Sequence, residues 1–208
     1  MNVLSRVLTN KIIAIIRGAE PSDVLQIAEA LKEGGVDILE VTLNSANALG
    51  VIGELAKIFG DEMLIGAGTV LDSKTAKAVI DMGAKFIVSP NVDVQTIQAT
   101  KTNGAISIPG AFTATEIVNA YSNGGDIIKI FPASTAEYIK VLRGPLSHIP
   151  MMPTGGITLD NISEFKKAGA AAFGIGTSLV DTKKKITKEY LKQVTENATK
   201  FVEAISRS

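Results

Sequence analysis

The chain of 208 residues contains no cysteine and a single histidine, His148. The lack of thiols excludes disulfides and thiolate metal sites, and one imidazole cannot build a multi-histidine metal centre. We therefore expect a protein of the cytoplasm whose chemistry uses no tightly held transition metal and no other cofactor.

Neither sign of charge is in excess, since 21 basic residues balance 21 acidic ones. No basic patch stands out, so the sequence predicts neither a nucleic-acid partner nor an anionic membrane surface. Long hydrophobic runs are also missing, because the longest candidate, Ile12–Ile16, has the length of a strand. The N-terminus lacks the charged-then-apolar layout of a signal peptide.

Short apolar runs instead recur along almost the whole chain, one strand plus one helix apart. They are Ile12–Ile16, Ile38–Val41, Met63–Ala67, Phe86–Val88, Ala105–Ile108, Ile127–Phe131, Ile149–Met152 and Ala171–Ile175. The segments between them have helical periodicity, as in the apolar face of Val24, Ile27, Ala28 and Leu31. Thr113 and Glu116 have the spacing of a helix capping box.

Eight strands alternating with helices, without a break in composition, predict an α/β fold. We expect a compact single-domain (β/α)8 TIM barrel over residues 1–208. An extra N-terminal helix over Asn2–Leu8 and a last helix over Lys188–Ile205 would frame it. The main alternative is a doubly wound open sheet. That fold favours a glycine-rich first turn, whereas Ile16 is followed by Arg17-Gly18-Ala19-Glu20.

One charged residue, Lys129, lies inside an apolar run that ends at Pro132. Burying an unpaired ammonium is costly, and a lowered pKa with a neutral amine relieves the cost. Desolvated lysines of this kind form Schiff bases with carbonyl substrates. The alternative is a lysine at a strand end that reaches water or pairs with a carboxylate.

Polar residues mark the ends of most predicted strands, where the active site of such a barrel lies. These strand ends carry Arg17, Glu40 with Thr42, Thr69, Ser89 with Pro90, Pro109, Lys129, Thr154 and Gly176.

Strand pleating sorts these residues by face. Alternation groups Lys129 with Ile127 and Phe131, Glu40 with Ile38 and Thr42, Arg17 with Ile13 and Ile15, and Thr69 with Ile65 and Ala67. If these faces point inward, an arginine, a carboxylate, a lysine and several hydroxyls converge at the barrel mouth.

Glycine-rich turns follow the seventh and eighth predicted strands, in Pro153–Thr158 and Gly174–Ser178. Turns at these positions form a phosphate site in many barrels, because backbone N–H groups can approach the anion closely. The sequence therefore predicts phosphate binding there; the alternative is that the glycines only make tight turns.

The whole chain resembles the class I aldolases that cleave 2-keto-3-deoxy-6-phosphogluconate or its galactonate epimer, a family that includes 4-hydroxy-2-oxoglutarate aldolase. The resemblance is carried by seven motifs in the order and near the spacing of that family. They are Ile-Ile-Arg17-Gly, Glu40-Val-Thr-Leu-Asn-Ser45, Gly66-Ala-Gly-Thr-Val70, Val88-Ser-Pro90, Ile108-Pro-Gly110, Lys129-Ile-Phe-Pro132 and Pro153-Thr-Gly-Gly-Ile157.

The resemblance implies a role for each strand-end residue. Lys129 would be the Schiff-base lysine and Glu40 the general acid and base. Arg17 and Thr69 would hold the pyruvyl carboxylate. The pocket would be completed by Thr42, Asn44, Pro90, Phe131 and Thr154. The distal phosphate would be held by Gly155, Gly156, Gly176 and Ser178. It also implies a homotrimer.

One position departs from part of the family. Some members read Glu-Val-Thr-Leu-Arg-Thr in the second strand, and that arginine binds the carboxylate, whereas this chain has Asn44. The Leu-Asn-Ser version resembles the phosphogalactonate enzymes, in which an arginine at the end of the first strand takes over. Arg17 fits that role, and the preference at C4 of the substrate stays open.

The expected reaction converts a 2-keto-3-deoxy-6-phospho sugar acid into pyruvate and glyceraldehyde 3-phosphate. An alternative main activity is cleavage of 4-hydroxy-2-oxoglutarate into pyruvate and glyoxylate. A phosphate-binding isomerase or synthase and a non-catalytic sugar-phosphate binding protein are further alternatives on the same barrel.

Overall fold

The computed structural model describes residues 2–206, in which strands and helices alternate. The strands are β1 Ile12–Ile16, β2 Ile38–Thr42, β3 Leu64–Gly68, β4 Phe86–Val88, β5 Ile106–Ile108, β6 Gly110–Ala111, β7 Ile128–Ile130, β8 Met151–Pro153 and β9 Phe173–Ile175. The helices are α1 Val3–Asn10, α2 Pro21–Glu33, α3 Ala48–Phe59, α4 Ser73–Asp81, α5 Val94–Thr102, α6 Ala114–Ser122, α7 Ala136–Arg143, α8 Ile162–Lys167 and α9 Lys188–Ser206.

The strands form two parallel sheets that meet in a closed barrel. One sheet has the order β5-β4-β3-β2-β1-β9 and the other the order β6-β7-β8. Pro109 separates β5 from β6 because it has no N–H to donate, although its carbonyl accepts the Lys129 N–H at 2.9 Å. At the other seam, Thr154 pairs with Gly174. With β5 and β6 sharing one position, eight positions close the ring, and the predicted TIM barrel is confirmed.

Helix α1 packs against one end of the barrel. Its Val7 is fully buried with Ile13, Ile38 and Leu64, which alternation places inside the barrel. The helix begins at Val3, one residue later than predicted, because the Asn2 side chain caps it by accepting the Ser5 N–H. The extra N-terminal helix is therefore present and fills the N-terminal end of the barrel.

The inward face of β3 differs from the prediction. Ile65 and Ala67 pack outside the barrel with the helices, and the positions that face inward are Gly66 and Gly68. Thr69 does not continue the pleat, since its φ is +60°. The assignment of Ile65 and Ala67 to the inside is therefore wrong, because a β-strand buried on both faces gives no alternation of polarity.

The helix signals in the sequence agree with the structure at several ends. Thr113 and Glu116 form the predicted reciprocal capping box of α6. The last helix begins at Lys188 as predicted and extends to Ser206, one residue beyond the predicted end. No helix within residues 2–206 has the length and hydropathy required to cross a bilayer.

Candidate active site

A cavity of about 410 Å³ opens at the C-terminal ends of the strands, as expected for this fold. Its wall includes eight of the predicted site residues: Arg17, Lys129, Phe131, Thr154, Gly155, Gly156, Gly176 and Ser178. It also includes Ile15, which was not predicted, and four further residues of the two predicted phosphate turns: Ile157, Thr158, Gly174 and Thr177.

Lys129 extends from the middle of β7 into this cavity and is only 5% exposed. Its Nζ lies 4.8 Å from the centre of the Phe131 ring, two residues along the same face of the chain. Burial lowers the pKa of Lys129; Glu40 partly opposes the shift, and the Arg17 cation adds to it. The environment therefore favours a neutral, nucleophilic amine.

Glu40 is fully buried on the inward face of β2, where its carboxylate feels the charge of the Lys129 amine. Neither carboxylate oxygen has a hydrogen-bond partner among residues 2–206. Burial raises the pKa of Glu40, against the smaller opposing effects of Lys129 and Arg17. A buried polar group without a partner is rare and costs about 1–3 kcal/mol. Its persistence beside a desolvated amine indicates a functional site.

Two inward glycines make the space that these side chains occupy. A Cβ on Gly68 would lie 1.8 Å from Glu40 Oε1, and a Cβ on Gly174 would lie 2.4 Å from Thr154 Oγ1. Sequence reasoning missed both as site residues. The pattern Gly-Ala-Gly in β3 was visible, but only the close approach of Glu40 explains why a side chain is excluded there.

Arg17 lies at the mouth of the cavity and is held through its own backbone. Its carbonyl accepts the Thr182 hydroxyl at 2.6 Å, and the next N–H, that of Gly18, donates to Ser45 Oγ at 2.8 Å. Its guanidinium donates to Asn44 Oδ1 at 3.4 Å and makes no ion pair within the part of the chain that the structure describes. The backbone of Arg17 is thus held in place, and the charge of its guanidinium is unneutralised within residues 2–206.

Thr42 has a supporting position. Its buried hydroxyl donates to the Ile16 carbonyl at 3.3 Å and lies 3.1 Å from Ser45 Oγ. It therefore ties β1 to β2 behind Arg17 and does not line the cavity.

The two glycine-rich turns lie side by side in the wall of the cavity. Gly155 and Gly156 have φ values of +84° and +81°, a conformation that favours glycine. The N–H groups of Gly156, Ile157, Thr177 and Ser178 donate to no protein acceptor within residues 2–206. Successive free N–H groups of this kind form an anion-binding concavity.

Side chains brace this concavity from outside. Asn161 Nδ2 donates to the Gly156 carbonyl at 2.8 Å, and Asn161 Oδ1 accepts the Thr158 N–H at 2.9 Å. The Ser178 hydroxyl donates to the Ile157 carbonyl at 2.5 Å and so joins the two turns. The backbone N–H of Ser178, not its hydroxyl proton, is therefore left for an anion.

Five predicted site residues are not part of the cavity wall: Glu40, Thr42, Asn44, Thr69 and Pro90. Thr69 follows β3 in the left-handed region, and Pro90 packs its backbone over Gly110, where a Cβ would lie 2.5 Å from the Pro90 carbonyl carbon. No group of three or more potential metal ligands comes together within the described residues.

Similarity to known proteins agrees with this geometry. The family model described as "KDPG and KHG aldolase" matches residues 3–197. The chain belongs to this aldolase family.

Named relatives match over most of their length. The 2-dehydro-3-deoxy-6-phosphogalactonate aldolase of Escherichia coli K12 is 37% identical over 171 residues, which are 81% of this chain and 83% of that protein. A solved structure described as native KDPGal has a TM-score of 0.87 at 34% identity and covers 94% of each chain. KDPG aldolase from Legionella pneumophila, captured with pyruvate as a covalent carbinolamine, has a TM-score of 0.76 at 28% identity and covers 99% of this chain and 98% of that one. The predicted family and its enzyme class, an aldolase of the carbon–carbon lyases, are confirmed.

Proposed function

We propose that the protein is a Schiff-base aldolase that reversibly cleaves a 2-keto-3-deoxy-6-phospho sugar acid into pyruvate and glyceraldehyde 3-phosphate. The observation that carries the proposal is the buried pair of Lys129 and Glu40, whose pKa values are shifted towards a neutral amine and a neutral acid. This pair stands beside an unpaired arginine and a concavity for an anion.

The first half of the reaction uses both neutral groups. The Lys129 amine attacks the C2 carbonyl of the keto acid and forms a carbinolamine. The Glu40 carboxylic acid donates its proton to the departing hydroxyl, so that water leaves and an iminium forms. Glu40 is then a carboxylate next to a new cation, which stabilises its ionised form.

Cleavage then reverses the direction of proton transfer. The Glu40 carboxylate accepts the proton of the C4 hydroxyl, the C3–C4 bond breaks, and the aldehyde leaves. The bonding electrons flow into the iminium and give an enamine on Lys129. Protonation at C3 and hydrolysis of the iminium release pyruvate and return both groups to their starting states. No step requires a metal.

The remaining residues bind the substrate at its two ends. Arg17 supplies a charge-assisted, bidentate partner for the substrate carboxylate, and Asn44 is a hydrogen-bond partner of its guanidinium. The role of Thr69 as a second donor is supported by the family resemblance and not by the cavity wall. Phe131 and Thr154 line the cavity around the reacting carbons. The place of Pro90 in the pocket is supported by the family resemblance, and Thr42 supports the site by tying β1 to β2.

The distal phosphate occupies the concavity formed by Gly155, Gly156, Gly176 and Ser178. The free N–H groups of these turns support this assignment because an anion satisfies several donors at once. The second candidate, cleavage of 4-hydroxy-2-oxoglutarate, is favoured by the family description, which includes KHG, and by a relative named KHG/KDPG aldolase. That substrate has no phosphate and leaves the concavity unused.

Borohydride reduction tests the nucleophile. In the presence of pyruvate, borohydride should fix a covalent adduct on Lys129, found by mass spectrometry of the digested protein. The mechanism is rejected if no adduct forms or if Lys129→Ala is labelled as strongly as the wild type.

A second variant tests Glu40 as the acid and base while the nucleophile Lys129 stays intact. Glu40→Gln should still bind pyruvate but lose most of its turnover, about 100-fold or more, because the amide cannot exchange the proton. Turnover is measured by coupling pyruvate release to lactate dehydrogenase. Near-normal cleavage by Glu40→Gln would exclude Glu40 from the reaction.

Substrate identity is decided by specificity constants. We expect the two phosphorylated C4 epimers to be cleaved with kcat/KM well above that for 4-hydroxy-2-oxoglutarate, and the reverse order would establish the second candidate. The Leu-Asn-Ser motif around Asn44 favours the phosphogalactonate epimer.

We also propose a homotrimer located in the cytoplasm. Family membership supports the assembly, and sedimentation equilibrium measures it directly. A monomer at enzyme-assay concentrations would refute the trimer.

A further inference from the structure

Arg17 is held by a segment from the opposite end of the chain. The Thr182 hydroxyl donates to the Arg17 carbonyl at 2.6 Å, across 165 positions of sequence. We call residues Asp181–Lys183 the strap. It lies between β9 and α9 and borders a second cavity of about 340 Å³ that also touches Arg17.

The strap is itself anchored to the last helix. The Asp181 N–H donates to the Tyr190 hydroxyl at 2.7 Å, and that hydroxyl donates to the Asp181 carbonyl at 3.0 Å. Tyr190 is 9% exposed, so α9 offers a rigid base. Burial raises the pKa of Tyr190 and keeps the phenol a donor.

We propose that Thr182 is a positioning residue for Arg17, and that the strap sets affinity for the carboxylate of the keto acid. The inference rests on the proposed role of Arg17. Arg17 has no carboxylate partner within residues 2–206 to orient it, and its guanidinium makes one long bond, to Asn44. The point from which its side chain extends is set by its backbone, which Thr182 and Ser45 hold from two sides. An arginine whose backbone is already fixed loses less freedom when it binds an anion, and this increases affinity.

The positioning role of Thr182 predicts weaker binding of pyruvate in a variant that lacks its hydroxyl. Removing one neutral hydrogen bond in Thr182→Val should raise the KM for pyruvate by roughly two- to tenfold, measured in the condensation direction. The KM for glyceraldehyde 3-phosphate should stay at its wild-type value, because the Thr182 hydroxyl donates to Arg17 and not to the phosphate concavity. The kcat should also stay unchanged, because the cavity that the strap borders is not lined by Lys129 or Glu40. Thr182→Ser keeps the hydroxyl and should restore the KM.

A carbonyl compound without a carboxylate shows whether Thr182 acts through Arg17 or supports the structure of the whole site. Cyanoborohydride trapping on Lys129 is compared for pyruvate and acetone. Thr182→Val should reduce trapping by pyruvate and leave trapping by acetone unchanged. Tyr190→Phe, which removes both bonds to Asp181, should act in the same direction.

A matched control removes a similar bond elsewhere. The Thr199 hydroxyl donates to the Thr195 carbonyl at 3.1 Å on α9, away from the cavity. Thr199→Val should leave all these constants unchanged. The inference is overturned if Thr182→Val behaves like Thr199→Val, or if it weakens trapping by pyruvate and acetone equally.

The variant Arg17→Met distinguishes this failure from failure of the proposed function. If Arg17→Met loses the preference for pyruvate over acetone while Thr182→Val keeps it, only the positioning role is wrong. If Arg17→Met keeps the preference, Arg17 does not bind the carboxylate. The proposed role of Arg17 and the positioning role of Thr182 are then both wrong.

Discussion

The Glu40 carboxyl lies directly over Gly68, where there is no room for a side chain, and this packing permits a quantitative test. A Cβ at Gly68 would lie 1.8 Å from Glu40 Oε1 and 2.5 Å from its Cδ. Non-bonded heavy atoms settle at about 3.5 Å. In Gly68→Ala the Glu40 carboxyl must therefore move by more than about 1 Å. A displacement of that size costs about 100-fold in rate, and overpacking costs about 1–3 kcal/mol of stability.

A double-mutant cycle isolates this contact. All three atoms nearest to the added methyl belong to the Glu40 side chain beyond its Cβ. Gly68→Ala should therefore lower the free energy of unfolding in the wild type by about 1–3 kcal/mol and have almost no effect in a Glu40→Ala background. Urea unfolding of the four proteins gives the coupling energy, and cleavage rates give the catalytic loss.

The control is Gly144→Ala, on the surface after α7, where a Cβ would lie 3.3 Å from the Val141 carbonyl oxygen. It should leave activity unchanged. If Gly68→Ala is as active and as stable as the wild type, the carboxyl of Glu40 does not lie over Gly68. If its cost is the same with and without Glu40, another contact is responsible.

Two further predictions concern stability. Burial raises the pKa of Glu40 above 4.5, so the folded protein retains a proton that the unfolded chain loses. The contribution of Glu40 to the free energy of unfolding is fully present below about pH 4.5. It is lost as the pH rises through the raised pKa of Glu40. Glu40→Gln should therefore gain stability relative to the wild type between mildly acid and neutral pH in urea titrations, and a pH-independent difference would contradict this. Arg6 donates to Asp37 Oδ2 at 2.6 Å and to the Asp61 carbonyl at 2.6 Å. Arg6→Ala should lower the free energy of unfolding by about 1–3 kcal/mol without changing the KM for pyruvate, since α1 is remote from the cavity.

Much of the barrel followed from patterns that the chain carries locally. The run Ile12–Ile16 is β1 without change, and the capping box at Thr113 begins α6. Such features depend on neighbouring residues, so a sequence can reveal them.

Features that depend on distant residues were not predictable. The face of β3 was misassigned because Gly66 and Gly68 face inward only to admit Phe86 and Glu40. Nothing near Arg17 in the sequence points to Thr182, which lies far along the chain. Lys129 was recognisable because a charge in an apolar strand is conspicuous without any partner.

Helix α1 closes the N-terminal end of the barrel. With Val7 filling that end of the interior, Lys129 faces the cavity at the other end, as far as residues 2–206 show. In the proposed mechanism the keto acid is joined to Lys129, inside this cavity, and the aldehyde lies nearer to the opening. We therefore expect ordered kinetics, with pyruvate as the first substrate in condensation and the last product in cleavage.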